Sequence, residues 1–354
     1  MTTSEARRGN PLPQRAKRAL ATTAIVACTA LAAACGPATV GPQPRTSQLD
    51  GVAQSEALLD RTIAQDGPGC AGAVSIEGVL AWSGEAGLAD LDTSLPITAS
   101  TRFDIASVSK QFTALAVLRL VDAGALALDD SVALHLDGMP SWADDVTITQ
   151  LLHHTSGIAD YTSLLVDAGL TLEHTTQHAD ALAAISSTRL EFAPGARFSY
   201  SNSNYVLLAS IVEAVTGNDF ASVLDEWVLD GEQMRLEPAS TAADVARSYR
   251  GGVEARSTWL QVGDGSIVAT AAELALWGSV YARTADPAVR NMTSNAVDDG
   301  AGAHYGAGIG IEPTGALGHS GAWAGFVSLF WVSPDRSTVI ALTCNSPDLD
   351  VSRL

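Results

Sequence analysis

Strand-like runs occur near the two ends of this 354-residue chain and are missing from its middle. A segment with helical character around Gln48 to Ala64 leads into "CAGAVSIEG" and "VLAWSGEAG", which begin at Cys70 and Val79. About two hundred residues of helical and loop character follow, and strands return only as "GALGHSG", "GFVSLFWVS" and "STVIALTCN". The last two are joined by the turn residues "PDR". Strands drawn from both ends imply one sheet assembled from the termini, with a mainly helical region inserted into it. No internal repeat is present, so the helical and sheet parts are intertwined rather than sequential. A hydrophobic content of 47% gives such a chain enough apolar surface for a large core.

The first residues read as an export signal, not as fold. Five basic residues up to Arg18 precede an uncharged run, "ALATTAIVACTALAAA", that ends before Cys35. The run is too short and too rich in Ala and Thr for a membrane-spanning helix. Small residues directly before a cysteine resemble a bacterial lipoprotein cleavage site, which makes residues 1–34 a signal peptide and Cys35 the lipidated first residue. Ala32 stands where that signal prefers Leu, and "IVAC" offers Cys28 as an alternative; a plain secretory signal is the other reading. Residues 35–46 then form a Pro- and Gly-rich tether, and 47–354 the folded domain. The expected location is outside the cytoplasm, lipid-anchored to the outer face of the cell membrane or secreted, with no other membrane contact. The net charge of −19 becomes −23 once the signal is removed, which disfavours a nucleic-acid partner.

Only two lysines occur in the chain, and Lys17 lies in the signal. The other, Lys110, sits in "FDIASVSKQFTALAVLRLVDAG", Phe103 to Gly124, which reads as one continuous helix that is apolar nearly all round and ends at Gly124. Ser107 lies three residues before Lys110, on the same helix face and in the first turn, where free backbone N–H groups favour developing negative charge. An amine in such surroundings is suited to accept a proton from a neighbouring hydroxyl. The spacing S-x-x-K alone also fits a lysine that snorkels from a partly exposed helix.

Two further stretches decide between these readings. "PGARFSYSNSNYVLLASIVEAVTG" carries Tyr200, Ser201 and Asn202, and "GHSGAWAGF" carries His319, Ser320 and Gly321. In that order, "SVSK", "YSN" and "HSG" resemble the three elements of the serine β-lactamase and penicillin-binding-protein superfamily, in its class C-like branch, which also holds D,D-peptidases, D-aminopeptidases and esterases. "LLHHTSGIADY" and "GDGSIVATAAELALW" are similar to the same branch. The resemblance covers about residues 48 to 346 and implies an α+β fold: a five-stranded antiparallel sheet built from both chain ends, flanked by helices. Relatives usually continue after the last strand into a longer helix than "NSPDLDVSRL" provides.

It also implies roles, residue by residue. Ser107 is the expected nucleophile of an acyl-enzyme mechanism, and Lys110 the group that holds or accepts its proton. Tyr200, beside Lys110, is the expected general base and general acid. Asn202 orients Lys110 and binds the acyl amide, and His319, Ser320 and Gly321 line the substrate site. The backbone N–H groups of Ser107 and Ala322 form the expected oxyanion hole. Most β-lactamases have a lysine where this chain has His319, so the permanent charge that helps hold a β-lactam carboxylate is missing. At its ordinary range this imidazole should add an ionisation near neutral pH. The expected activity is therefore cleavage of an amide or ester, of D,D-carboxypeptidase or esterase type, on a small-molecule or peptide substrate by a monomer without a cofactor. The alternatives are a true β-lactamase or a silent relative that binds peptidoglycan or peptide.

Other patterns carry less. His174 and His178 are spaced to share a helix face, but no third ligand accompanies them, so no metal is expected. His153 and His154 read as structural, His154 at a position that supports the site. "TAAE", Thr270 to Glu273, is a capping box, and Trp259, Trp277, Trp323 and Trp331 are core or cleft residues. No G-x-S-x-G occurs, against an α/β-hydrolase, and no H-x-H-x-D-H run, against a zinc β-lactamase. In the implied fold the strands that start at Cys70 and end at Cys344 are antiparallel neighbours. That leaves two readings open, a disulfide or two buried thiols.

Overall fold

All five long runs at the chain ends are strands of one sheet, and the helical block lies between them in sequence. The computed structural model describes residues 46–229, 231–239 and 242–349. The signal-peptide, Cys28 and Cys35 expectations, and the tether before Thr46, fall outside the described residues. The chain divides into Met1–Ala53, described only in the opening of one helix, and Gln54–Leu354, which holds the sheet, the other helices and the site.

In chain order the principal elements are α1 (Thr46–Thr62), β1 (Cys70–Ile76), β2 (Val79–Ala86), α2 (Lys110–Asp122), α3 (Ser203–Thr216) and α4 (Ala271–Trp277). They are followed by β3 (Val297–Asp298), β4 (His304–Tyr305), β5 (Gly310–Ile311), β6 (Leu317–Trp323), β7 (Phe326–Val332) and β8 (Thr338–Cys344). The sheet order is β3-β4-β5-β6-β7-β8-β1-β2, antiparallel throughout. The sheet thus has eight strands where five were expected. The three additions are two-residue ladders beside β6, too short to leave an alternating pattern in the sequence.

Tight turns set the register of the long hairpins. Glu77 and Gly78 (φ 52° and 76°) turn β1 into β2, and Ala324 and Gly325 (φ 47° and 101°) turn β6 into β7, the left-handed pairs that match strand twist. Cys70 and Cys344 then stand opposite each other, with Cα atoms 4.1 Å apart and Sγ atoms bonded at 2.06 Å. Around that bridge Leu59 and Ile63 pack with Ala86 and Leu342 into a small apolar cluster. On the larger core the Ser75 hydroxyl donates to the Ala275 carbonyl at 2.7 Å, which pins β1 to α4.

The segment Phe103–Gly124 is not one helix. Phe103–Asp104 pairs as a short strand with Ile267–Ala269, Ala106–Ser109 is a 3₁₀ turn, and α2 starts only at Lys110. The cause is local. The Asp104 carboxylate accepts the Ala106 N–H at 2.8 Å, and Ala106 has φ 48°, outside the helical region. From there α2 runs through the core with ten of its thirteen residues buried, and it ends as expected at Gly124 (φ 70°).

Arg102 fixes the foot of this segment. Its guanidinium donates to both Glu273 oxygens, at 2.5 and 2.7 Å. Glu273 also closes the capping box of α4 with Thr270, as the "TAAE" pattern predicts. Among the described residues no single helix is long and apolar enough to cross a membrane.

Candidate active site

Lys110 is fully buried, and its amine makes three hydrogen bonds. It donates to Ser107 Oγ at 3.0 Å, Asn202 Oδ1 at 2.8 Å and the Asp264 carbonyl at 2.7 Å. An amide oxygen and a carbonyl can only accept, so two of the tetrahedral positions on Nζ must carry protons. The third points at a hydroxyl, which both donates and accepts. The same geometry therefore suits an ammonium that donates to Ser107 and an amine that takes the serine proton. No side chain needs to move between the two states.

Each partner arrives on a separately fixed element. Ser107 sits in the 3₁₀ turn, and the Ile105 carbonyl beside it accepts the Ser328 hydroxyl of β7 at 2.6 Å. Gly321 of β6 crosses that turn so closely that a Cβ would lie 2.3 Å from the Ile105 carbonyl oxygen and 2.4 Å from Ser328 Oγ. Asp264 is carried by a loop whose Gly263 (φ 101°) passes where a Cβ would lie 2.3 Å from the Tyr205 carbonyl. The Gly263 carbonyl accepts the Thr113 hydroxyl at 2.6 Å, tying the loop to α2.

Tyr200 and Asn202 lie in the turn before α3, cross-linked to the loop at residues 154–161. Asp160 accepts the Asn202 N–H at 2.6 Å, Ser203 donates to the Ala159 carbonyl at 2.6 Å, and the Tyr161 N–H returns to Ser203 Oγ at 2.8 Å. These bonds hold Tyr200 with its ring centroid 5.1 Å from Lys110 Nζ. Tyr200 is 39% exposed.

His319 stands on β6 beside this group, its ring 6.3 Å from that of Tyr200. Nδ1 lies 2.6 Å from the Ser320 carbonyl, which can only accept, so Nδ1 carries the proton. Nε2 is then the acceptor, and the Tyr305 hydroxyl, 3.0 Å away, donates to it. Desolvation and the Lys110 charge push this imidazole down to about 4. It is neutral across the neutral range, so the near-neutral ionisation expected from the residue type is corrected. Ser320 is exposed, and its carbonyl is the part that meets His319.

A cleft of about 60 Å³ joins Ser107, Asn202 and Ala322 with Asp104, Tyr161, Gln261, Asp264, Trp259 and Trp323. It adjoins a wider one of about 300 Å³ that shares Asp104, Trp259, Ser266 and Trp323. Trp259 and Trp323 are thus cleft walls, whereas Trp277 stacks on Phe112 in the core, 4.4 Å between centroids. Burial pushes the Asp104 carboxyl up to about 7, opposed by the Ala106 N–H and assisted by Asp264. Burial pushes Asp264 up to about 6, against the pull of Lys110 and of the Tyr161 hydroxyl, which donates to it at 3.0 Å.

Asp104, Asp264, Tyr161 and Tyr305 were not picked out from the sequence. Asp264 lies within "GDGS", where the glycine that makes the close approach is the one mark in the sequence.

His174 and His178 do not share a helix face. His174 accepts the Thr171 N–H at 3.0 Å in a turn, whereas His178 begins the helix His178–Ser186 and lies 2.8 Å from Ser210 Oγ.

A protein-family model described as "Beta-lactamase" matches residues 55–353. A curated D-aminopeptidase of Brucella anthropi is 33% identical over 303 residues, 80% of this chain and 57% of the relative. The chain therefore spans about half the length of the curated relatives it matches. A penicillin-binding protein from Bacillus halodurans is a structural neighbour with a TM-score of 0.70 at 26% identity, covering 78% of this chain and 90% of that one. A D-stereospecific amidohydrolase from a Streptomyces species shares the fold with a TM-score of 0.72 at 22% identity, over 85% of this chain and 96% of its own.

Proposed function

This chain belongs to the Beta-lactamase family, and we propose that it is a serine hydrolase that cleaves an amide or ester whose acyl part carries a protonated amine, such as a D-amino acid amide or a short D-peptide. The observation that carries the hydrolase reading is the Lys110 amine, held by two obligate acceptors with its third position aimed at Ser107 Oγ.

Ser107 Oγ attacks the substrate carbonyl carbon as its proton passes to the Lys110 amine. The backbone N–H groups of Ser107 and Ala322 receive the oxyanion. Tyr200 gives its hydroxyl proton to the leaving nitrogen or oxygen as that bond breaks and takes the one on Lys110 in its place, which leaves an ester on Ser107. Water then adds to the ester as its proton passes through Tyr200 to Lys110, and Lys110 returns that proton to Ser107 Oγ as the acid departs.

Charge around the cleft favours the amine-bearing acyl group. His319 is neutral and offers no fixed cation to a carboxylate, while Asp104 and Asp264 line the cleft beside Ser107 with Trp259 and Trp323 as walls. Asp264, at about 6, and Asp104, at about 7, ionise as the pH passes through neutral and then attract an ammonium, and indole faces add to the attraction. The D-aminopeptidase relative agrees with this reading. Penicillin hydrolysis and D,D-carboxypeptidase action, both on carboxylate-bearing substrates, are the less favoured outcomes.

Export belongs to the proposal, supported by the basic residues and uncharged run before Cys35, with lipidation of that cysteine as anchor. The test of function is a panel: D-alanine p-nitroanilide, its N-acetyl derivative, a p-nitrophenyl ester, a D-Ala-D-Ala peptide and a chromogenic cephalosporin. The free-amine anilide and the ester should turn over fastest. Preference for the cephalosporin or the D-Ala-D-Ala peptide would overturn the substrate assignment.

A further inference from the structure

His154 lies directly beneath Tyr200, fully buried, and has two features that ordinary core packing does not require. Its backbone is left-handed, φ 54°, a conformation disfavoured for a non-glycine residue. Its Nε2 is buried without a hydrogen-bond partner. That nitrogen is the protonated one. Nδ1 lies 3.2 Å from the Ser201 N–H, an obligate donor, and 3.0 Å from the Asn204 amide nitrogen, whose own oxygen is occupied by the Ser156 hydroxyl. Nδ1 therefore accepts, and the proton sits on Nε2.

The ring is the centre of an aromatic group. Its centroid is 4.3 Å from Tyr200 at 34°, 4.9 Å from Tyr305 and 5.1 Å from Tyr205, with Phe198 edge-on at 5.9 Å. The His154 carbonyl also accepts the Ser199 N–H at 2.8 Å. One residue thus holds the backbone on both sides of Tyr200 and supplies the surface on which its ring rests.

We infer that His154 is the positioning residue for Tyr200, a neutral imidazole that sets the angle and height of the phenol ring above Lys110. The inference rests on the hydrolase reading and deepens it. The charged and titratable groups that face His154 are Lys110, His319 and His153, together with Tyr200, Tyr205 and Tyr305. Burial first, then the charges of Lys110, His319 and His153, hold its pKa well below the ordinary range. The ring therefore stays neutral and adds no charge beneath the phenol.

The test uses His154→Gly, because glycine adopts φ 54° without strain and the change removes only the ring. The rate at which a fluorophosphonate labels Ser107 should fall about 100-fold, the scale expected when a proton-transfer group is displaced by an ångström. For a p-nitrophenyl ester kcat should fall while KM stays within about threefold, as for an interaction made only in the transition state. Added imidazole, which can accept from Ser201, should restore part of the labelling rate; benzene should not.

His154→Asn, which tolerates the left-handed backbone and keeps an acceptor but no ring, should show the same kcat loss without rescue. A labelling rate within threefold of wild type in His154→Gly overturns the inference. So does a parallel rise in KM without imidazole rescue, or failure of both variants to fold by circular dichroism, since each marks a purely structural residue. Wild-type protein whose Ser107 takes no label would refute the hydrolase reading instead.

Discussion

Ser107 Oγ and Lys110 Nζ lie 3.0 Å apart, and the lysine reaches the serine from the first residue of α2 while its other two bonds fix it to elements distant in sequence. The pair works as a unit, because among the described residues the Lys110 amine is the hydrogen-bond partner of Ser107 Oγ. Ser107→Ala and Lys110→Ala should each remove nearly all turnover, about 10³-fold or more, with the double variant little worse. Additive losses measured on the p-nitrophenyl ester would contradict this.

Gly321 lets β6 approach the nucleophile turn, and a side chain there meets the Ile105 carbonyl oxygen as well as Ser328 Oγ. Gly321→Ala should push the Ala322 N–H away from Ser107 and lower kcat by about 100-fold, the usual effect of losing one oxyanion donor. Ester kinetics check it, with the thermal midpoint measured in parallel to separate this effect from unfolding.

His319, held near 4, should contribute no ionisation to the kcat/KM profile between about pH 5.5 and 8, where the cleft carboxyls Asp264 and Asp104 titrate, so His319→Gln should leave that part of the profile unchanged. Below pH 5 the ring gains a proton and the site a second positive charge. His319→Lys should supply that charge at every pH and shift preference toward the D-Ala-D-Ala peptide and away from the free-amine anilide. An unchanged ranking in the variant would mean that residue 319 does not read substrate charge.

The long strands were legible because their apolar runs are long and their turn residues plain. The site residues were legible because three short motifs occur in one order. The break at Ala106 was not: Phe103 to Gly124 has unbroken helical character, and the strand at its start exists through pairing with Ile267–Ala269, more than 150 residues away. Nor were Asp104 and Tyr305, whose roles come from the groups they meet, the Ala106 N–H and His319 Nε2. A carboxylate that accepts an N–H two residues on looks like any acidic residue in sequence.

Asp104 gives a stability signature of its own. Its folded pKa, raised to about 7 from 3.8, means that the folded state binds a proton which the unfolded chain has released. Stability from this group is full below about pH 4 and is lost as pH rises toward 7. Asp104→Asn keeps an acceptor for the Ala106 N–H and removes the titration. Its thermal midpoint should vary less than that of wild type between pH 4 and 7, and equal slopes would contradict the assignment.

The bridge between Cys70 and Cys344 closes a loop of 274 residues' separation. By the chain-entropy account such a closure contributes up to about 5 kcal/mol. Non-reducing thiol titration of the denatured domain should find neither cysteine free, and reduction should lower the thermal midpoint. Two titratable thiols before reduction would rule the bridge out.

The central claim is that Ser107 forms an acyl-enzyme with an amine-bearing acyl group. Mass spectrometry of the protein quenched during turnover of a D-alanine ester measures this directly. The account predicts a mass increase of one D-alanyl group, mapped to the peptide containing Ser107 and absent from Ser107→Ala. Turnover with no adduct in any quench, or an adduct that persists in Ser107→Ala, would contradict it.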